Sequence, residues 1–292
     1  MKRFTLSFKN HRLELGERTC IMGILNITPD SFSDGGRFFD TDIALAHAER
    51  MALAGADIID IGGESTRPYS DPVSAQEEAD RVLPVIEKLS GRIRIPISID
   101  TTKAAVARQA LEAGAAVVND TSALRVDPAI ASVAARFEAP LILMHMKGSP
   151  KTMQKDPRYD DLIGEILDFL EAAIQGAMAQ GVPRRLIIAD PGIGFGKTIA
   201  HNLCLINRLE AFERLDVPVL VGSSRKAFIR GILKRDGEAD IEPTLPQVET
   251  GTQASVAAAI LKGAHIVRVH DVEQTFATAK IIDAVRNVPD NP

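Results

Sequence analysis

Eight short apolar runs of this chain each end on polar side chains able to hold or polarise a ligand. In chain order these are Asn26, Glu64 with Thr66, Asp100, Asn119, His145, Asp190, Ser224 with Lys226, and Arg268 with His270. Carboxylates and amides accept and donate hydrogen bonds, and a few cations focused in one cleft can take a small anion. Any one of these residues could instead cap a helix or satisfy a turn amide, and Asp100 alone reads as the N-cap of a helix opening at Thr101. Recurrence at every run points to a shared pocket. Arg268 and His270 have the same parity, as do Ser224 and Lys226, so each pair can face one side.

Other chemistries fail on spacing. DPGIGFGKT (190–198) has Pro191 where a nucleotide loop of the G-x-x-x-x-G-K-[ST] type needs glycine. It has Lys197 where G-x-G-x-x-G needs its last glycine. GSSRK (222–226) lacks the second glycine of a nucleophile elbow, which argues against a serine hydrolase. No H-E-x-x-H occurs, and His265 and His270 differ in parity, so a transition-metal site is not expected.

The elements that must position the polar residues follow from the pattern around them. The runs 20–28, 57–65, 96–100, 117–121, 140–146, 186–192, 218–224 and 266–271 are short and almost continuously apolar, as parallel strands buried on both faces are. Between them, segments such as VSAQEEADRVLPVIEKLS and KAAVARQALEAGA repeat apolar residues at three and four, the period of a helix. Several close on glycine, as in AGA, AQG and KGA, which suits a helix end. The alternation predicts an α/β fold, a (βα)₈ TIM barrel, preceded by a short β-hairpin over residues 4–19. The first strand runs into a long polar loop, NITPDSFSDGGRF, whereas the joins from helix to strand are tight. Long loops of that kind mark the mouth of a barrel. We expect one domain over residues 1–292, with an acidic surface insertion near 235–243.

Of the 292 residues, 45% are apolar, enough for a full core, and disorder is excluded. A net charge of −5 and a pI near 5.7 argue against a general nucleic-acid surface. Cys20 and Cys204 suggest neither a disulfide framework nor zinc. The basic N-terminus has no apolar segment after it, and no run approaches the roughly 20 residues of a membrane span. A soluble, cytoplasmic protein is expected.

The ordered blocks GILNITPDSFSDGG, ESTRP, SIDT, NDTS, DPGIGFGK, GSSRK and RVHDV, spanning Gly23 to Val272, resemble those of the dihydropteroate synthases. That resemblance implies a transferase of folate biosynthesis joining a pterin methyl diphosphate to p-aminobenzoate with loss of pyrophosphate. It assigns the pterin edge to Asp100, Asn119, Asp190 and Lys226, with Met144 as an apolar wall and Arg268 stacked opposite. Arg268, His270 and Asn26 form an anion cluster, and the counterpart of Asn26 touches Mg²⁺, which leans on substrate phosphates. Phe32, Thr66, Arg67, Pro68, Phe195 and Ser224 resemble the p-aminobenzoate pocket, and the resemblance counts Thr66 among the pterin diphosphate-binding residues as well. Asp34 reads either as a brace for the first loop, meeting the cation, or as a turn residue before Gly35-Gly36. Catalytic roles fall to Asp34, Asp100, Lys226, Arg268 and His270, and a homodimer is implied. The chain departs from the family at QVETGT, where an arginine and a leucine often precede Gly-Thr, which bears on helix packing or subunit contact. Two other readings are a methyltetrahydrofolate-binding methyltransferase domain and a non-catalytic pterin-binding homologue. SFSDGG, ESTRP and RVHDV discriminate against the first; the second is disfavoured because no ligand position is missing.

Overall fold

The computed structural model describes residues 1–27, 37–64, 73–149, 151–235, 237 and 240–289. Phe32, Asp34, Thr66, Arg67 and Pro68 lie outside these described residues. The chain opens on the expected antiparallel hairpin, β1 (Phe4–Phe8) and β2 (His11–Leu15). Eight parallel strands follow: β3 (Cys20–Asn26), β4 (Ile58–Gly62), β5 (Ile97–Asp100), β6 (Val117–Asp120), β7 (Leu141–Met144), β8 (Ile187–Asp190), β9 (Leu220–Val221) and β10 (Ile266–Val269). They pair in the order β8-β7-β6-β5-β4-β3-β10-β9, and a bridge between Ala189 and Val219 joins the two ends. This is the (βα)₈ barrel read from the sequence.

Helices α1 (Arg37–Leu53), α2 (Ala75–Ser90), α3 (Ala104–Ala113), α4 (Ala129–Arg136), α5 (Leu162–Ala179), α6 (Ile199–Asn207), α7 (Ala227–Leu233), α8 (Pro246–Leu261) and α9 (Val272–Arg286) surround it. Local chemistry fixes their ends. Asp161 and Asp271 cap α5 and α9 by accepting from the amides of Gly164 and Gln274. Gly55 and Gly114, with φ of +104° and +123°, take the left-handed turn after α1 and α3. The apolar stretch HNLCLINRLEAFERL (201–215), of helical period throughout, divides into α6 and a 3₁₀ segment, Leu209–Leu215, and α7 was not anticipated. Seven residues with Gly231 inside are too few to show a helical period.

Strand parity sorts the side chains into layers. Ile59, Ile61, Ile97, Ile99, Leu141 and Leu143 point outward and pack with the helices in the main core. Met22, Ile58, Val117, Ile142, Ile188, Leu220 and Ile266 belong to a second cluster inside the barrel, sealed below by Leu6, Phe8, Leu13 and Leu15 of the hairpin. The amino-terminal end is thus plugged with apolar side chains. Any polar chemistry in the lumen must lie above that layer, toward the carboxyl ends of the strands.

Candidate active site

Counting two residues onward from the apolar lumen layer gives Asp60, Asn119, Met144, Asp190 and Arg268, and on β5 the step from Ser98 gives Asp100. Because side chains alternate along a strand, all six share the inward face. Arg268 lies at the centre. Its Nε donates to Asp60 Oδ2 at 2.6 Å and its Nη2 to Asp100 Oδ2 at 2.8 Å. Asn119 Nδ2 donates to the same Asp60 oxygen at 3.0 Å. Burial pushes the Asp100 carboxyl upward while Arg268 pulls it back, and the neighbouring carboxylates raise Arg268 against its own desolvation. Asp100 is therefore no helix cap. Lys103 occupies that position of α3, and the Ala104 amide is satisfied by Asp127 at 2.8 Å.

On the opposite side, Asp190 Oδ1 accepts the Gly192 amide at 2.7 Å. Burial raises its carboxyl to about 6, with the Gly192 bond and then Lys226 opposing the rise. Lys226, lowered to about 8 chiefly by burial, places its Nζ 3.8 Å from the centre of the Phe195 ring. Phe195 in turn joins Met144, Met146 and Met153 in a small apolar cluster at the mouth. The segment 190–197 lies so close to β7 that a Cβ at Gly192 would fall 1.8 Å from the His145 carbonyl oxygen, so only glycine fits at this φ of +70°.

Ser224 and His270 meet across neighbouring strand ends. The His270 amide donates to Ser224 Oγ at 3.3 Å, and that hydroxyl lies 2.9 Å from His270 Nδ1. Either partner can donate in the hydroxyl–imidazole contact, since a hydroxyl can accept from the amide and still accept from or donate to Nδ1. The anion and p-aminobenzoate clusters are therefore joined at this pair, and Arg268 joins the anion and pterin-edge clusters.

Asn26 ends β3 beside Gly62. A Cβ at Gly62 would lie 3.6 Å from Asn26 Oδ1 and 3.7 Å from Asp100 Oδ2, so the missing side chain leaves a space between two oxygen donors.

Two strand-end residues turn away from the pocket. His145 follows the inward Met144 and so points outward, where it packs edge-on against Phe169 at 4.8 Å and lies 2.9 Å from Lys197 Nζ. Glu64 pairs with Lys103, which also holds the fully buried Glu78. The departure at QVETGT is absorbed locally. Glu249 pairs with Arg225 at 3.2 Å and Thr252 accepts the Arg225 amide at 3.1 Å, holding that residue at a φ of +58°.

Sequence reading missed Asp60 and Lys197. Asp60 shares parity with Ile58 and Gly62, and a charge at that lumen position inside DIIDIG was the available signal. Lys197 lay in a motif rejected as a nucleotide loop. It is buried, lowered to about 7 by burial, and donates to the Phe195 carbonyl at 2.9 Å, which steadies the loop carrying that ring.

Fold and site together define a (βα)₈ barrel of the enzyme type, with a polar, charged cleft at its carboxyl mouth. The family model for pterin binding enzymes matches residues 22–270. The dihydropteroate synthase of Synechocystis sp. is 50% identical over 270 residues, covering 92% of this chain and 91% of the relative. A Clostridium difficile dihydropteroate synthase solved in the presence of pteroic acid has a TM-score of 0.86 at 45% identity, covering 94% of this chain and 99% of the other. The Xanthomonas albilineans enzyme, solved with 4-aminobenzoic acid, has a TM-score of 0.89 at 41% identity, covering 99% and 100%. The chain belongs to the dihydropteroate synthase family of pterin-binding enzymes, transferases of folate synthesis.

Proposed function

We propose that this chain condenses 6-hydroxymethyl-7,8-dihydropterin diphosphate with p-aminobenzoate, giving 7,8-dihydropteroate and pyrophosphate. The observation that carries the reading is the inward set of Asp100, Asn119, Asp190 and Lys226 around Arg268. Asp190 accepts from the donor edge of the aminopyrimidine, Asn119 binds in the same plane, and Lys226 donates to the ring carbonyl. Met144 forms the wall under the ring. Arg268, held by two carboxylates below, offers its guanidinium face to the pterin and its remaining N–H groups to the phosphates. The His270 imidazole is a second contact for the departing anion.

The C–O bond to pyrophosphate breaks as the pterin ring shares the developing positive charge, and the aniline nitrogen then attacks the methylene carbon and releases a proton. An aniline is already neutral, so positioning and electrostatics supply most of the rate. Phe195 and Ser224 flank the p-aminobenzoate, with Phe32, Thr66, Arg67 and Pro68 completing that pocket and Asp34 bracing the first loop or meeting the cation.

Asn26 Oδ1 beside Asp100 across Gly62 fits a Mg²⁺ that keeps most of its ligands as water and substrate phosphate. Among the described residues no cluster of His, Cys, Asp and Glu forms a dedicated metal cage, in keeping with so lightly held an ion. When bound, it would neutralise charge on the diphosphate. We further propose one domain over residues 1–292, a homodimer and a cytoplasmic setting. Exposed Ile199, Leu203, Ile232 and Leu233 on α6 and α7 support a subunit contact, and two free cysteines suit a reducing compartment.

Pyrophosphate release measured with the pterin diphosphate, with and without p-aminobenzoate, tests the reaction. Release requiring both substrates is expected. Release independent of p-aminobenzoate would sink the synthase reading.

A further inference from the structure

Asp60 is fully buried one lumen step below the pocket, where an isoleucine or leucine would extend the apolar layer of Met22 and Ile58. Replacing a buried charge by a well-packed apolar side chain is often neutral or stabilising, so a carboxylate here needs another reason. Both of its hydrogen bonds run through a single oxygen, to Asn119 Nδ2 and Arg268 Nε. Its other oxygen has no partner among the described residues, so the carboxylate acts through that one shared oxygen.

The chemistry of that shared oxygen is directional. An asparagine amide is nearly symmetric in shape and can present either C=O or NH₂ to a ligand. Beside a carboxylate oxygen only the NH₂ orientation is attractive, so Asn119 must turn its carbonyl away from Asp60. The same oxygen fixes the Nε side of Arg268, while Asp100 fixes Nη2.

We propose that Asp60 is a positioning residue that sets the polarity of Asn119, making the pocket an acceptor surface for a heterocycle with N–H donors, and that aims Arg268. This rests on the pterin reading given above. Ligands whose corresponding edge carries only acceptors would be rejected for the same reason.

The test is calorimetric binding of 6-hydroxymethylpterin, which lacks phosphate, to wild-type protein, Asp60→Leu, Asp60→Asn, Asn119→Leu and the Asp60→Leu/Asn119→Leu double variant. Asp60→Leu removes the acceptor and should weaken binding by about tenfold or more. Asp60→Asn keeps an acceptor at the shared position and should restore affinity to within about threefold of wild type. In the Asn119→Leu background, Asp60→Leu should cost clearly less than it does alone, because the orientation it controls is already gone. Asp60→Ala makes the same comparison should the leucine variant not fold. Wild-type binding that Asp60→Leu leaves unchanged, or equal losses in both backgrounds, overturns this proposal alone. Wild-type protein that binds no pterin overturns the proposed function and this proposal with it.

Discussion

Replacing Asp190 by asparagine should move two quantities in opposite directions. Asp190 Oδ1 accepts the Gly192 amide at 2.7 Å, so the new side chain is held with its carbonyl at that amide and its NH₂ where Oδ2 stood. It then meets the donor edge of a pterin with a donor, and losing that buried charged pairing should cost about 2–4 kcal/mol of affinity. Stability without ligand should change the other way. The carboxyl is raised from 3.8 to about 6 in the folded protein, chiefly by burial. A group raised in this way contributes its stability below the unfolded value and loses it as pH climbs through the folded one. At neutral pH the ionised Asp190 therefore costs on the order of 3 kcal/mol that asparagine does not. The ligand-free variant should melt above wild type at about pH 8, with the gap closing toward about pH 4. Wild-type pterin affinity should also fall as pH drops through about 6, a limb the variant should show less strongly. Calorimetry with 6-hydroxymethylpterin and thermal unfolding across pH measure both. A variant that loses affinity and stability together near neutral pH would make Asp190 a structural residue and refute the reasoning.

Arg268→Ala should weaken binding of the pterin diphosphate much more than binding of the unphosphorylated pterin. Equal losses for the two would mean that the guanidinium only packs on the ring. Phe195→Ala should raise KM for p-aminobenzoate several-fold, roughly the effect of about 1 kcal/mol, while leaving pterin affinity near wild type; steady-state kinetics beside calorimetry separates the two. Phe32→Ala and Asp34→Ala should spare pterin diphosphate binding and depress turnover, and wild-type turnover in both would make the first loop a passive connector. Removing Mg²⁺ with a chelator should weaken the diphosphate ligand by about tenfold or more and leave the unphosphorylated pterin unaffected. Equal affinities with and without the ion would remove it from the diphosphate site.

The barrel was legible because its strands are buried on both faces, so each run is apolar throughout and ends abruptly at the polar mouth. The same contrast exposed Asp100, Asn119, Asp190 and Arg268, whose inward parity matches the apolar layer two residues before them. Asp60 escaped because it sits inside a run, where reading only the last residue of each strand overlooks a charge one step lower. His145 was over-read for the complementary reason: it ends its run one position out of phase with Met144, and it turns to Lys197 and Phe169. Glu64 has a strand-end position too, yet Lys103 on the next βα unit captures its carboxylate. Nothing in the linear order of Glu64, Glu78 and Lys103 announces that meeting. The pairing depends on β4 and β5 lying side by side in the sheet.

The charge balance of the mouth supports the proposed metal ion despite the several cations there. Among the described residues, Asp60, Asp100 and Asp190 face Lys197, Lys226 and Arg268, three carboxylates against three cations. Arg268 already gives Nε and Nη2 to carboxylates, Lys226 lies between Phe195 and the field of Asp190, and Lys197 is spent on a backbone carbonyl and a histidine. The pterin, a neutral ring, can enter such a balanced pocket at little electrostatic cost. Its diphosphate cannot, because several added negative charges meet cations that are largely committed. Among the described residues, the Nη1 side of Arg268 is suited to hydrogen-bonding an anion but short of neutralising it. In the proposed reaction an added divalent charge would supply the difference, and an amide oxygen such as Asn26 would hold it without adding a further negative charge beside Asp100.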